Sequence, residues 1–439
     1  MKTNKDIKSK FDLIPSPFTL AILLTFISFL LAFFFTGNGE TAIQKTINLL
    51  LFWQKGFWDL LKFAMQMVLM LVLGSMIART KAFNKLILKV MPLMKDSASA
   101  AMWVALLSIL TAYLNWGLGL IFGALLAKKV GDNAARKGLK LNYPLIGAAA
   151  YSGLMIWHGG LSGSAPLKVA EQGHFLQALT GIIPVSQSIF STMNIVLFFL
   201  VIVFLPALFF LMGKRKNGDE LVPDENSESQ AESLAVDSID KKYPFGIAIG
   251  IFMASATVIS FYKGSISLNI NTINLILFFT ALLLYGNTAA FTKAATQSVS
   301  STTGIILQFP FYAGIMGIMK YSGLTDIFTN FFMDISTQST FPFFTMISAG
   351  IVNFFVPSGG GQWAVQGPVV MQAALHLGIA PGKAVMALAY GDQLTNMVQP
   401  FWALPLLAIT GLKARQILPY TFKIMLAGFV LFSFVLLIF

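Results

Sequence analysis

The sequence predicts an all-α polytopic membrane protein, and three observations lead to that class. Of the 439 residues, 56% are hydrophobic and only 11% are charged, whereas an ordinary soluble domain carries about 25% charged residues. Apolar runs of roughly 20 residues, the length that crosses a bilayer, recur along the chain. The lysines and arginines lie in short clusters between those runs, as in the cytoplasmic loops of membrane proteins. We therefore interpret the net charge of +12 as loop charge facing a lipid bilayer, with no nucleic acid as partner.

The first apolar run, Pro17–Thr36, follows a basic N-terminus. It has the length of a full span, and no small-residue cleavage site follows it, so we predict a retained span rather than a secretory signal. The remaining runs of the first half predict spans, hairpins or broken helices, and Thr41–Trp53 is predicted to lie at the interface. The first-half segments are Phe18–Phe35, Trp58–Ala78, Ala98–Leu114, Trp116–Ala127, Tyr143–Gly160 and Val185–Met212.

Several apolar runs of the second half are too short to cross a bilayer alone. Short or Gly/Pro-interrupted segments of this kind are typical of hairpins and discontinuous helices in transporters. The second-half segments are Pro244–Tyr262, Ile273–Leu284, Thr302–Met319, Phe341–Val356, Trp363–Leu375, Ala384–Gln399, Phe401–Thr410 and Leu418–Phe439. Between the halves, Gly213–Lys242 is rich in acidic residues and lacks aromatic residues, which predicts a flexible linker. The predicted organisation is a first membrane repeat at 1–212, an acidic cytoplasmic linker at 213–243 and a second, inverted membrane repeat at 244–439.

The distribution of lysine and arginine predicts the orientation, because cytoplasmic loops carry an excess of both. The basic clusters are Lys2–Lys10, Arg79–Lys95, Lys128–Lys140, Lys214–Lys216 with Lys241–Lys242, Lys293, and Lys413–Arg415. With all of them inside, the N-terminus is cytoplasmic and Ala98–Ala127 forms a hairpin that leaves and re-enters the same side. Phe341–Leu375 forms a hairpin that opens from the outside.

Three landmarks recur in the same order and at nearly equal spacing in the two halves, which indicates an internal repeat. They are Gln66, Asn115 and Ala150-Tyr151 in the first half, and Gln308, Asn353 and Ala389-Tyr390 in the second. The orientation places Trp58–Ala78 running inward and its counterpart Thr302–Met319 running outward. The sequence therefore predicts an inverted-topology repeat with paired re-entrant helical hairpins and broken helices.

Four polar, glycine-rich interruptions are the candidate binding region, because unwound backbone at membrane depth must line a cavity or be buried in protein. They are Asn115–Gly123, Trp157–Pro166, Pro357–Gln362 and Asp392–Pro400. Half-helix N-termini there would suit a carboxylate, and the glycines would let the backbone turn tightly and offer its amides. The predicted substrate-binding residues are Asn115, Gly117, Gly119, Ser162, Asn353, Ser358, Gly359, Gly360, Gly361, Gln362, Gln366 and Asn396.

Asp392 lies deep in an apolar stretch, and acids within the membrane are usually functional. We predict that Asp392 and Gln393 bind the coupling ion, either Na⁺ or a proton; a buried N-cap at a helix break is the alternative for Asp392. Beyond Na⁺, no metal or cofactor is expected. Secondary candidates are Gln66, Gln308, His158 and Gln399. Each of the two span glutamines fits interhelical hydrogen bonding as well as ligand contact, and the histidine fits a proton relay or a structural role. The spans contain no arginine, which favours a singly charged anion.

The motifs FVPSGGGQWAVQGP and AYGDQLTNMVQPFWALPLLAI, together with LNWGLGLIFGALLAKKV and TTGIILQFPFYAGI, resemble the bacterial short-chain fatty acid transporter family associated with acetoacetate degradation, within the ion-transporter superfamily. The resemblance covers nearly the whole chain. It implies uptake of short-chain fatty acids such as acetoacetate or butyrate across the bacterial inner (plasma) membrane. It also implies a scaffold part and a moving part, an elevator-like motion and a homodimer.

The predicted mechanism is ion-coupled symport by alternating access, and two other functions fit the sequence less well. A carrier of dicarboxylates or other organic anions would be expected to show an extra cationic group in the site, and none is evident in the sequence. A membrane-embedded enzyme is disfavoured because no metalloprotease motif and no nucleophile–base pair is evident, and the lack of a Walker motif argues against ATP drive by this chain.

Overall fold

The computed structural model describes residues 17–37, 39–174, 176–214, 243–266, 270–357 and 359–439. Within these ranges the secondary structure is helical, which confirms the predicted all-α class. Most of the predicted linker, residues 215–242, and the predicted site residue Ser358 lie outside the described residues. The helix before the linker continues through Lys214, so its end falls just inside the predicted linker.

The predicted apolar segments of the first half each overlap a helix, although the helix that begins at Trp116 continues to Arg136 and the last one begins only at Thr192. The helices of this half are α1 Pro17–Phe35, α2 Ala42–Gly56, α3 Leu61–Ala78, α4 Lys81–Val90, α5 Ser97–Leu114, α6 Trp116–Arg136, α7 Tyr143–Tyr151, α8 Ser164–Val169, α9 Gln177–Thr180 and α10 Thr192–Lys214. Between α7 and α8 the chain forms two short 3₁₀ turns, Ser152–Met155 and Trp157–Gly159. The predicted break of this segment is therefore confirmed.

The helices of the second half repeat the alternation of long and interrupted elements. They are α11 Phe245–Tyr262, α12 Ile270–Tyr285, α13 Thr288–Val299, α14 Thr303–Tyr321, α15 Leu324–Asp334, α16 Phe341–Phe355, α17 Gly359–His376, α18 Pro381–Thr395, α19 Pro400–Thr410 and α20 Ala414–Ile438. A 3₁₀ turn at Asn396–Val398 separates α18 from α19. The sequence prediction missed α4, α13 and α15, whose polar residues resemble loop sequence.

Four helices among the described residues, α5, α10, α11 and α20, are long and apolar enough to cross a membrane. A fifth span is added if Ala64–Ala78 and Lys81–Leu93, which meet at a bend of 63°, form one unit. The outer faces of these helices expose large apolar side chains, among them Phe252 and Val203, each 69% exposed. A bilayer is the solvent that suits such a surface, because water would leave it aggregation-prone.

The α5–α6 connection is tighter than the sequence prediction. Only Asn115 leaves the helical conformation (φ −157°, ψ 125°), and its Oδ1 caps α6 by accepting a hydrogen bond from Leu118 N at 2.9 Å. The interruption predicted over Asn115–Gly123 is therefore wrong beyond its first residue. Gly119 is needed for close packing instead, since a Cβ there would lie 2.4 Å from Ala112 Cα of the facing helix.

Candidate functional site

The candidate site lies where the broken segment after α7 meets α18. His158, in the second 3₁₀ turn, is fully buried, and Asp392, in α18, is 1% exposed. His158 Nδ1 lies 2.5 Å from Asp392 Oδ2. The structure thus joins the secondary candidate His158 to the predicted ion-coupling residue Asp392. Asp392 lies inside α18, whose N-cap is Ala380, so the alternative N-cap role of Asp392 is wrong.

The other ring nitrogen of His158 also has partners. Ala165 N, in the first turn of α8, donates to Nε2 at 3.0 Å, and Ser164 Oγ lies 3.2 Å from the same atom. A backbone N–H can only donate, so Nε2 must carry a lone pair. The ring proton therefore lies on Nδ1, where it faces the Asp392 carboxylate.

Gln393, the second predicted ion-coupling residue, holds the backbone of the first-half break. Its Oε1 accepts hydrogen bonds from His158 N at 3.0 Å and from Gly159 N at 3.2 Å. Those two amides have left the helical pattern, and an unpaired buried amide would be costly. Gln393 therefore fixes the position of the His158 backbone, while its neighbour Asp392 engages the side chain.

The predicted glycine-rich turn at Gly359–Gly361 is helical. The three glycines form the first turn of α17, so the expectation of an unwound loop at these residues is wrong, because packing overrides the low helix propensity of glycine. Gly359 instead permits a close approach. A Cβ on Gly359 would lie 2.5 Å from His158 Cε1 and 2.6 Å from Ser164 Oγ. The N-terminus of α17 therefore rests directly against the imidazole.

Asn353, at the end of α16, ties the second-half break together. Its Nδ2 donates to Asp392 O at 2.9 Å, to Thr395 Oγ1 at 2.9 Å and to Asn396 Oδ1 at 2.8 Å. Gln399 Nε2 donates back to Asn353 O at 2.5 Å. One hydrogen-bond network therefore joins the predicted residues Asn353, Asn396 and Gln399. This network holds the backbone in position where the helix breaks after α18.

Gln362 and Gln366 are both fully buried and donate within the protein. Gln362 Nε2 donates to Ala349 O at 2.8 Å and to Gln366 Oε1 at 3.0 Å. Gln366 Nε2 donates to Ser348 Oγ at 2.9 Å. These bonds pack α17 against α16, so the two glutamines act first as supports of the hairpin.

Two tyrosines connect each half of the chain to the break of the other half. Tyr151 Oη donates to Asn396 O at 2.7 Å and lies 3.0 Å from Gln399 O. Tyr390 Oη donates to Asn194 Oδ1 at 2.9 Å, and Asn194 Nδ2 donates to Gly159 O at 2.8 Å. These are the tyrosines of the two Ala-Tyr landmarks; Tyr151 reaches the second break directly, whereas Tyr390 reaches the first break through Asn194.

Several buried polar atoms around these breaks have no hydrogen-bond partner within the described part of the chain. The acceptors are Asp392 Oδ1, Asn353 Oδ1 and Gln362 Oε1, and the donors are Gln393 Nε2, Asn115 Nδ2, Trp157 Nε1 and Trp363 Nε1. Buried polar groups in folded proteins are nearly always paired, so each such atom calls for an explanation.

A cavity of about 560 Å³ leads from the surface to the first turns of α8 and α17. Its lining residues are Asp59, Leu60, Lys62, Gln66, Ser164, Lys168, Glu171, Asn271, Met316, Lys320, Gly360, Gly361 and Ala364. The charged residues of this lining are the lysines Lys62, Lys168 and Lys320 and the acids Asp59 and Glu171. Lys168 forms an ion pair with Glu171 at 2.7 Å. Cationic side chains therefore border this cavity, although none was evident in the predicted site from the sequence. The three lysines are far apart in sequence, so no local motif marked them.

The remaining predicted residues lie away from the His158–Asp392 pair or support it indirectly. Ser162 Oγ accepts from Trp116 N at 3.0 Å and ties the first break to α6. Gln66 Nε2 donates to Asn271 Oδ1 at 2.7 Å, which supports its role as interhelical contact, although Gln66 also lines the cavity. Gly117 packs near Met70 of α3. Gln308 is buried in α14.

Sequence comparison decides the family. The model of the short chain fatty acid transporter family matches residues 5–439. The chain belongs to this family. Two relatives, both named provisionally as short-chain fatty acid transporters, are 36% identical to it. The Escherichia coli (strain K12) relative aligns over 427 residues, 95% of each chain. The Haemophilus influenzae relative aligns over 422 residues, 93% of this chain and 92% of its own.

Two solved structures of transporters are similar to the chain at lower identity. The Alcanivorax borkumensis YdaH transporter is 15% identical, with a TM-score of 0.48 over 96% of this chain and 98% of its own. Neisseria gonorrhoeae MtrF, described as an antimetabolite efflux pump, is 16% identical, with a TM-score of 0.46 over 96% and 95%. Family membership confirms the prediction of a membrane transporter rather than an enzyme.

Proposed function

We propose that this protein takes up short-chain fatty acids, such as acetoacetate and butyrate, across the bacterial inner membrane by ion-coupled alternating access. The observation that carries the proposal is the lysine-lined cavity, which ends at the N-terminus of α17. That N-terminus packs against His158, the buried partner of Asp392. Family membership gives the substrate class, and the cavity gives a path for a small anion.

The carboxylate of the substrate binds at the first turn of α17. The leading amides of a helix have no intrahelical partner, and the helix dipole places partial positive charge there. Gly360 lines the cavity without a side chain that would obstruct those amides. Ser164, from the facing first turn of α8, supplies a hydroxyl to the same cavity.

The cavity lysines draw the anion in. Lys62 lies in the first turn of α3 and Lys320 in the last turn of α14. In the predicted orientation both helix ends face the outside, so the cavity opens toward the external medium. The excess of lysines over acids raises the local concentration of anions, and this effect weakens as salt screens the charges.

Coupling to an ion takes place at Asp392 and Gln393. A buried carboxylate is costly unless a proton or a cation neutralises it, and Asp392 Oδ1 and Gln393 Nε2 have no hydrogen-bond partner among the described residues. Na⁺ and a proton are the two candidates for the coupling ion.

The carrier moves by an elevator-like motion of one part against a scaffold, built on two inverted repeats, 1–212 and 244–439, joined by the cytoplasmic linker 213–243. The contacts of Tyr151 with the second break, and of Tyr390 with the first break through Asn194, support the repeat. Family resemblance supports a homodimer, which light scattering of the detergent-purified protein would test.

The test is uptake of labelled acetoacetate and butyrate into proteoliposomes with Na⁺ and proton gradients imposed separately. Rates in protein-free vesicles are subtracted, because undissociated acids cross bilayers unaided. Saturable uptake that Gly360→Val abolishes is the expected result. No protein-dependent uptake of either acid by folded protein would refute the proposal.

The lysines also favour a second candidate substrate class, the dicarboxylates, since a second carboxylate would find a second cation. Competition distinguishes the two classes. Unlabelled succinate that inhibits as strongly as butyrate would favour dicarboxylates. Lys62→Gln should slow uptake of either class at low salt, whereas Lys263→Gln, the same charge change at the exposed end of α11 away from the cavity, should not.

A further inference from the structure

The contacts of His158 fix where the imidazole carries its proton in the described structure. Nε2 accepts the Ala165 amide, so the imidazole is neutral and its single proton lies between Nδ1 and Oδ2. Among the described ion pairs, Asp392 is joined only to His158. The other titratable side chains on α18, and on the elements packed against α18 and against the turn that carries His158, are Tyr390, Lys383, Tyr113, Lys168, His376, Arg415, Tyr420 and Lys423.

A second proton on Nε2 of His158 would leave the contact between Nδ1 and Asp392 Oδ2 intact. The imidazolium would keep its ion pair with Asp392, and its new N–H would donate to Ser164 Oγ, which already lies 3.2 Å away. The indole of Trp157 stacks on the imidazole with centroids 4.5 Å apart and planes 15° apart. An aromatic face in this position stabilises a cation. Protonation would also place a positive charge beside the buried carboxyl group of Asp392.

Protonation at Nε2 has a mechanical consequence. The lone pair that accepts Ala165 N–H disappears, so two N–H groups would face each other and the hydrogen bond to the first turn of α8 must break. α8 borders the cavity through Ser164 and Lys168. The protonation state of the imidazole is therefore linked to the position of the helix that lines the substrate path.

We propose that the coupling ion is a proton, that it binds Nε2 of His158, and that its arrival shifts the first turn of α8 by exchanging the bond from Ala165 N for one to Ser164 Oγ. This inference rests on the proposed function and specifies its coupling site. The step is balanced. One proton taken from outside forms the Nε2–H bond, the hydrogen bond from Ala165 N breaks, and one from Nε2–H to Ser164 Oγ forms. With one carboxylate anion carried per proton, the cycle moves no net charge.

Two assays separate coupling from transport. His158→Gln removes the titratable ring, and His174→Gln is the matched control, since His174 is also buried and its Nε2 pairs with the carbonyl of Gly181. In proteoliposomes without Na⁺, His158→Gln should lose at least 90% of proton-driven accumulation of acetoacetate. Counterflow exchange needs binding and translocation but no gradient, so His158→Gln should reduce it less than it reduces proton-driven accumulation. His174→Gln should retain both activities.

Tryptophan fluorescence of the detergent-purified protein gives a readout that does not depend on transport. An imidazolium stacked on an indole quenches it, so acidification should quench emission in the wild type. Trp157→Phe and His158→Gln should each remove that component. Accumulation by His158→Gln under a proton gradient, accumulation by the wild type driven by Na⁺ alone, or a quench unchanged in Trp157→Phe would each overturn the proposal. Absence of counterflow by the wild type would instead refute the transport function itself.

Discussion

Replacing Asp392 with Asn removes the charge of this side chain and keeps its shape. Asn Oδ1 can still accept from His158 Nδ1, which lies 2.5 Å from the carboxylate. The variant loses the charge assistance of that bond, and a hydrogen bond to a charged group contributes about 1.5–3 kcal/mol. The substitution also removes the cost of burying a charged group, which is on the order of several kcal/mol per ion. The two effects are opposed, so we expect the free energy of unfolding to be unchanged or higher.

Asp392→Ala gives the contrasting case. The imidazole N–H loses its acceptor and a cavity forms beside α18, so the loss of stability should be about 3–5 kcal/mol, as when one partner of a buried pair is removed. Thermal unfolding of the detergent-purified proteins should therefore rank the variants as Asn at or above the wild type and Ala well below.

Gradient-driven accumulation should be abolished in both variants, although only the Ala variant is unstable. Accumulation is measured in proteoliposomes at matched amounts of folded protein. Normal accumulation by the Asn variant would show that Asp392 is structural. A midpoint of unfolding as low as that of the Ala variant would show that the buried charge stabilises the fold, contrary to the reasoning above.

Three further predictions concern packing and topology. Gly359→Ala should reduce the initial rate of transport about 100-fold, because a Cβ 2.5 Å from the buried imidazole must displace the ring by about 1 Å. The control is Gly304→Ala, whose Cβ would meet the movable end of a leucine side chain at 2.7 Å, and its rate should stay within about twofold of the wild type. Equal losses of rate in the two variants would contradict this prediction. Tyr151→Phe should lower the free energy of unfolding by about 1–3 kcal/mol, since two buried carbonyls lose their hydrogen-bond donor. An unchanged midpoint of unfolding would show that a water molecule replaces the tyrosine hydroxyl as that donor. Single cysteines at Lys85 and Lys137 should react with an impermeant thiol reagent only from the cytoplasmic side, and labelling of intact cells would overturn the predicted orientation.

Much of the helical architecture could be predicted from the sequence because apolar length and loop charge are local signals. The bounds of α5, α10 and α16 fall within a few residues of the predicted segments except at the start of α10, where Val185–Ser191 belongs to a loop and a short 3₁₀ turn. α4 was missed because its exposed face carries lysines, which resemble loop charge when the partner of the buried face is unknown.

The sequence indicated which residues belong to the candidate site, but it did not indicate which of them pair with one another. Asp392, Gln393 and His158 stood out as polar residues in apolar sequence, but their pairing joins residues 234 and 235 positions apart. No local pattern encodes such a contact. The cavity lysines were missed for the same reason, and the helical state of Gly359 was missed because tertiary packing outweighed its intrinsic preference.

The crossed contacts between the halves have a consequence for biosynthesis. When a ribosome has inserted α7 and the turns that follow, the acceptors of Tyr151 Oη have not yet been translated, since they lie 245 and 248 residues further along the chain. The first half therefore completes these contacts only after the second half has been synthesised. Two fragments divided in the linker and synthesised together should therefore complete each other, whereas either fragment alone should be degraded.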